Sequence, residues 1–178
     1  GTLTLNNGLL DVNTKGGNIS ISGNITSAGA DEALTLDDGT GSGTITLGGT
    51  VSTGDITLIG DGGIELGGNI TSNKTGAAGA IAFTGPVTIA DTASDSVTID
   101  ADQHADTTVT FNATATVNAA TSGGQSLTID TDAGAIAMQG AIGGSTALSA
   151  LTINADGAGT IEVANIGASG VGVSGATA

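Results

Sequence analysis

Along most of the chain, apolar residues alternate with small polar ones over stretches only three to five residues long. Gly1-Thr2-Leu3-Thr4-Leu5 opens on this pattern, and Ile19-Ser20-Ile21, Leu34-Thr35-Leu36, Ile45-Thr46-Leu47, Ile56-Thr57-Leu58 and Ile64-Glu65-Leu66 repeat it. Ile81-Ala82-Phe83, Val97-Thr98-Ile99, Val109-Thr110-Phe111, Leu127-Thr128-Ile129, Ile136-Ala137-Met138, Leu151-Thr152-Ile153 and Ile161-Glu162-Val163 continue it. A period of two is the mark of a strand with one face buried. No helical stripe runs through the chain. Gly, Asp and Asn separate the runs and supply turns and left-handed backbone positions.

The runs are shorter than the strands of about 5–6 residues that build a sandwich, and they recur in a fixed order. A Leu-Thr-Leu-type strand is followed by an Asp/Gly loop, then Gly-x-Ile-x-Leu, then Gly-x-Ile/Val. Gly43–Ser52 carries the last two elements most clearly, and Gly63–Thr71, Gly79–Thr88 and Gly134–Ile142 repeat them. Aligning Ile19, Ile45, Ile64, Ile81, Val109, Ile136 and Ile161 gives steps of 26, 19, 17, 28, 27 and 25 residues. Such a period predicts an all-β solenoid rather than a propeller, whose blades need about 40 residues. The expected fold is a right-handed parallel β-helix with three short strands per coil. Roughly seven coils stacked at about 4.8 Å would make a rod about 35 Å long. Residues 1–178 are then expected to form one domain, which, without an initiator Met or a signal peptide, reads as a window on a longer repetitive protein. Both ends, Gly1–Leu5 and Gly170–Val173, read as uncapped edges open to end-to-end self-association.

Composition narrows the interior and the partners. Only two aromatic residues, Phe83 and Phe111, accompany a mean hydropathy of +0.28, so the interior is expected to hold aliphatic columns too narrow for large rings. Cysteine is absent, which removes disulfides and thiol chemistry. The net charge is -15, with Lys15 and Lys74 as the only basic residues. A nucleic-acid partner would require a basic surface. No stretch of about 18 apolar residues is present to cross a membrane as a helix. The charge itself reads as a solvated outer surface that resists lateral clumping.

Candidate chemistry is sparse. Gly48-Gly49, Gly62-Gly63, Gly67-Gly68, Gly123-Gly124 and Gly143-Gly144 fall at the expected corners, and no helix follows them to make a phosphate cradle. Pro86 is expected at a corner or at a strand's first position, because it lacks the ladder N–H. Outward threonines are expected in one column: Thr4, Thr35, Thr57, Thr98, Thr128 and Thr152. The residues after the first strand suggest two acidic columns, Asp100/Asp130/Asn154 and Asp102/Asp132/Asp156. Stacked carboxylates repel, and two arrangements relieve this. The carboxylates cap backbone N–H groups in turns, or calcium sits between coils on Asp100, Asp102, Asp130, Asp132 and Asp156. No cofactor beyond that ion is called for. His104, beside Asp102 and Asp106, reads as loop surface. The pair Asp61 and Glu65 has the chemistry of a glycosidase dyad, but no aromatic platform accompanies it, and the chain reads as a non-enzyme.

Coils such as Gly17–Thr26, Asp55-Ile56-Thr57-Leu58 and Gly63–Ile70 resemble the repeat regions of filamentous-haemagglutinin-like and autotransporter-passenger adhesins of bacteria. The resemblance is compositional and periodic and runs the length of the chain. It implies an extracellular or cell-surface β-helical stalk or fibre-forming segment serving adhesion or biofilm matrix. A host surface or matrix polysaccharide would be its partner, and there are no catalytic residues to carry over. This chain departs from such stalks in lacking aromatic and amide-rich coils and a recognisable secretion domain or anchor. A ligand-binding solenoid for carbohydrate or ice, and a calcium-dependent filament subunit, are the alternatives.

Overall fold

A computed structural model describes residues 1–29, 31–92, 94–101, 103–104 and 106–166, and the backbone of 173–177. Its strands fall into successive coils. The first coil holds β1 (Leu3–Leu5), β2 (Leu9–Asn13) and β3 (Ile19–Ile21). The second holds β4 (Ile25–Ser27), β5 (Ala33–Asp37) and β6 (Ile45–Leu47). In the third lie β7 (Val51–Thr53), β8 (Ile56–Ile59) and β9 (Ile64–Leu66). The fourth comprises β10 (Ile70–Ser72), β11 (Ala80–Thr84) and β12 (Val87–Ile89). The fifth comprises β13 (Ser96–Ala101), β14 (Thr108–Phe111) and β15 (Val117–Ala119). Two further coils pair β16 (Ser126–Thr131) with β17 (Ile136–Ile142), and β18 (Ala150–Ala155) with β19 (Ile161–Ile166). A last strand, β20 (Val173–Thr177), lies on β18.

Every pairing is parallel and joins one coil to the next. Face one runs β1-β4-β7-β10-β13-β16-β18-β20. Face two stacks β2, β5, β8, β11, β14, β17 and β19, and face three stacks β3, β6, β9, β12 and β15. The long β17 and β19 carry the chain from face two to face three without a break, which fuses those two faces into one sheet. The protein is a parallel β-helix, as its periodicity indicates.

Alternation sends one set of side chains inward on each face. Ile25, Val51, Ile70, Ile99, Ile129 and Ile153 form a buried column on face one. Face three contributes Ile45, Ile64, Val87, Val117 and Ile142. On face two, Leu36, Leu58, Phe83, Phe111 and Met138 stack in turn. The interior therefore admits rings after all. Phe83 and Phe111 occupy the same site in consecutive coils, and their rings stack with centroids 4.5 Å apart and planes at 12°. The strand spacing of about 4.8 Å is close to a ring-stacking distance, and it holds the two planes nearly parallel.

The sequence alignment needs one correction. Ile19, Ile45 and Ile64 do share a column, on face three, and Ile81, Val109, Ile136 and Ile161 share another, on face two. Ile64 pairs with Val87, and Ile81 pairs with Ile56. The 17-residue step was a change of face, because Gly-x-Ile-x-Leu reads the same on either. Pro86 sits where it was expected, at the corner before β12, with its carbonyl accepting the Ile64 N–H at 2.7 Å. Gly85 beside it has φ +100°, and a Cβ there would fall 1.9 Å from the Gly60 carbonyl oxygen. Of the two ends expected to be uncapped, Gly170–Gly172 lie outside the described residues.

Candidate functional site

The six threonines read as one ladder are spread over three columns. Thr4 stacks with Thr26, Ser52, Thr71, Asp100, Asp130 and Asn154 on face one. Thr98, Thr128 and Thr152 stack with one another on that face, two residues earlier along each strand. Thr35 and Thr57 belong to face two, where the column runs Asp11, Thr35, Thr57, Ala82, Thr110, Ala137 and Glu162. Leu-Thr-Leu occurs on more than one face, and a two-residue period carries no label for the face.

Of the acidic columns, the first forms as read. Asp100 pairs in register with Asp130, and Asp130 with Asn154, whose Nδ2 donates to Asp130 Oδ1 at 2.9 Å. The amide relieves one side of the repulsion that three stacked carboxylates would suffer. Asp132 and Asp156 are exposed and lie one residue beyond the paired Thr131 and Ala155, while Asp102 lies outside the described residues. Among the described residues no group of three or more His, Asp or Glu side chains is arranged to hold a metal ion. His104 is half-buried in the fifth coil's first corner, its carbonyl accepting the Thr107 N–H at 3.2 Å.

Turn capping by carboxylates is present outside the two columns, at Asp37 and Asp38, which directly follow the Leu34-Thr35-Leu36 run, and at Asp55. Asp38 is fully buried and accepts from the N–H groups of Asp61 at 3.1 Å and Gly62 at 3.4 Å in the next coil. Asp55 accepts from Ala80 N at 3.0 Å and pairs with Lys74 Nζ at 2.6 Å. Asp37 Oδ1 accepts from Gly39 N at 2.7 Å, and its Oδ2 accepts from Asn13 Nδ2 at 2.7 Å. Each bond ties a corner of one coil to a neighbouring residue or coil.

A groove of about 580 Å³ opens at the second corner, between faces two and three of the first three coils. Asn13, Asp37 and Ile59 stand in register along its floor, and Lys15, Gly39, Thr40 and Asp61 line it from the corner loops. The loop over residues 38–44 is longer than the corresponding corner at 60–63, so it projects as a wall. Gly39, at φ +78°, lets that wall lie against the first coil, because a Cβ there would come 2.6 Å from Lys15 Cα. Lys15 itself adopts φ +54°, with its N–H donating to Asn13 Oδ1 at 2.9 Å. Asp61 and Glu65 are not brought together. Glu65 lines a separate groove of about 310 Å³ and accepts from Thr46 Oγ1 at 3.4 Å.

No family model, no curated protein and no solved structure matches this chain.

Proposed function

We propose that this chain is a rigid, non-catalytic segment of an extracellular bacterial adhesin or biofilm-matrix fibre, displayed at the cell surface. The observation that carries the reading is the set of buried columns running through coil after coil on three faces, with hydrogen bonds along the rod axis. A body built this way resists bending, and its outer surface is small, polar and anionic. The coil sequences that resemble adhesin repeats point the same way. An antibody raised against residues 1–178 should label intact cells that make the protein. Labelling only after permeabilisation would refute surface display.

One observation favours assembly by stacking. Leu3, at 39% exposure, stands at the open end of face one, in register with the fully buried Ile25 of the next coil. A further coil on that edge, from this chain or another copy, would bury it and complete the backbone ladder.

A further inference from the structure

A mechanical stalk has no use for the groove at the second corner, and its free polar groups suggest what it holds. Among the described residues the Lys15 ammonium, the Thr40 hydroxyl and the Asp61 carboxylate have no protein partner, whereas Lys74, the only other cation in the chain, is spent on Asp55. A donor, a hydroxyl that both donates and accepts, and an acceptor therefore surround one aliphatic side chain, Ile59. A sugar offers the complement: hydroxyls that each donate and accept, and a C–H face to lie on Ile59, which stands in for the aromatic platform common in sugar sites. We infer that this groove binds a short neutral oligosaccharide, aligned with the rod axis.

Other ligand classes fit less well. A peptide adding as a strand would pair along the open edge of β2, outside the groove, because β5 and β8 beneath it are each paired on both sides. An amphipathic helix needs an apolar stripe, and the floor offers one isoleucine. Polyanions meet a chain of net charge -15. The groove spans three coils, about 10 Å along the axis, and its volume lies within the roughly 300–1,000 Å³ common for small-ligand sites. It is also preformed: Lys15 is held in its left-handed conformation by Asn13, and the 38–44 loop rests on it. The inference adds a ligand to the stalk and does not depend on that reading, since a stalk that binds no sugar is still a stalk.

The test is an amide-resolved NMR titration of the folded chain with three neutral trisaccharides, of β-1,4-linked glucose, β-1,4-linked N-acetylglucosamine and β-1,4-linked galactose. At least one should give saturable shifts at Lys15, Thr40, Ile59 and Asp61. Lys15→Gly and Asp61→Asn should each weaken binding by about tenfold, a difference of one decade in Kd, while the thermal melt holds. Glycine suits the positive φ at position 15, so that variant separates binding from folding. Glu65→Gln, in the neighbouring groove, should bind as the parent does. Shifts with none of the three sugars, binding that both groove variants leave intact, or saturation by trialanine in their place would each overturn the inference.

Discussion

At the inner end of each face-one strand the chain turns the first corner, and a small residue faces inward there. Ser72 and Thr131 are hydroxyls buried at this point, and each finds a backbone carbonyl: Ser72 Oγ donates to Gly54 O and Thr131 Oγ1 to Gly134 O, both at 2.9 Å. Thr53, in register with Ser72, is fully buried, and its Oγ1 has no partner. The reason is local: its corner has only Gly54 and Asp55 before β8, too short a loop to turn a carbonyl back, and Gly54 O already accepts from Ser72. An unpaired buried hydroxyl costs about 1–3 kcal/mol, whereas a satisfied one contributes about 1 kcal/mol. Thr53→Val, nearly isosteric, should therefore raise stability by about 1 kcal/mol in urea denaturation, and Ser72→Ala should lower it by a similar amount. Equal losses from both would show that Thr53 is satisfied.

Between residue and coil, the ring pair in face two is the most specific packing feature. Phe83 lies between Leu58 and Phe111, and Met138 and Val163 continue the column. Phe83→Ala removes a buried ring from a rigid stack and should cost about 3–5 kcal/mol by thermal or denaturant unfolding. A loss under about 1 kcal/mol would mean the ring is not enclosed. Strand positions were legible from alternation, because a two-residue period and a burial pattern are the same statement. Face was not, and so the threonines from Thr4 to Thr152 looked like one ladder when they occupy three. Strands β2 and β15 also escaped the reading. Leu9-Leu10-Asp11-Val12 breaks strict alternation, and Val117-Asn118-Ala119 ends on a residue too small to signal burial. The groove was hidden for a similar reason. Lys15, Asp37 and Asp61 lie a coil apart in sequence, and only the register brings them to one corner.

For the molecule as a whole, the net charge of -15 is distributed over outward positions and corners, while among the described residues the interior stays apolar apart from a few groups such as the capped Asp38 and the unpaired Thr53. Stability then rests on the stacking of coils, since each coil buries its inward residues only against its neighbours. That stacking makes a sharp geometric statement. Thr128 and Thr152 face outward on adjacent coils in one column, about 4.8 Å apart, whereas Thr57 and Thr98 lie on different faces, two coils apart. Both pairs would be neighbours had the single threonine ladder been right. Nitroxide labels at cysteines placed on each pair decide the matter by continuous-wave electron paramagnetic resonance. The register described here predicts strong spin exchange for the 128/152 pair and none for the 57/98 pair. Exchange in the 57/98 pair, or its absence from the 128/152 pair, would contradict the parallel β-helix as drawn.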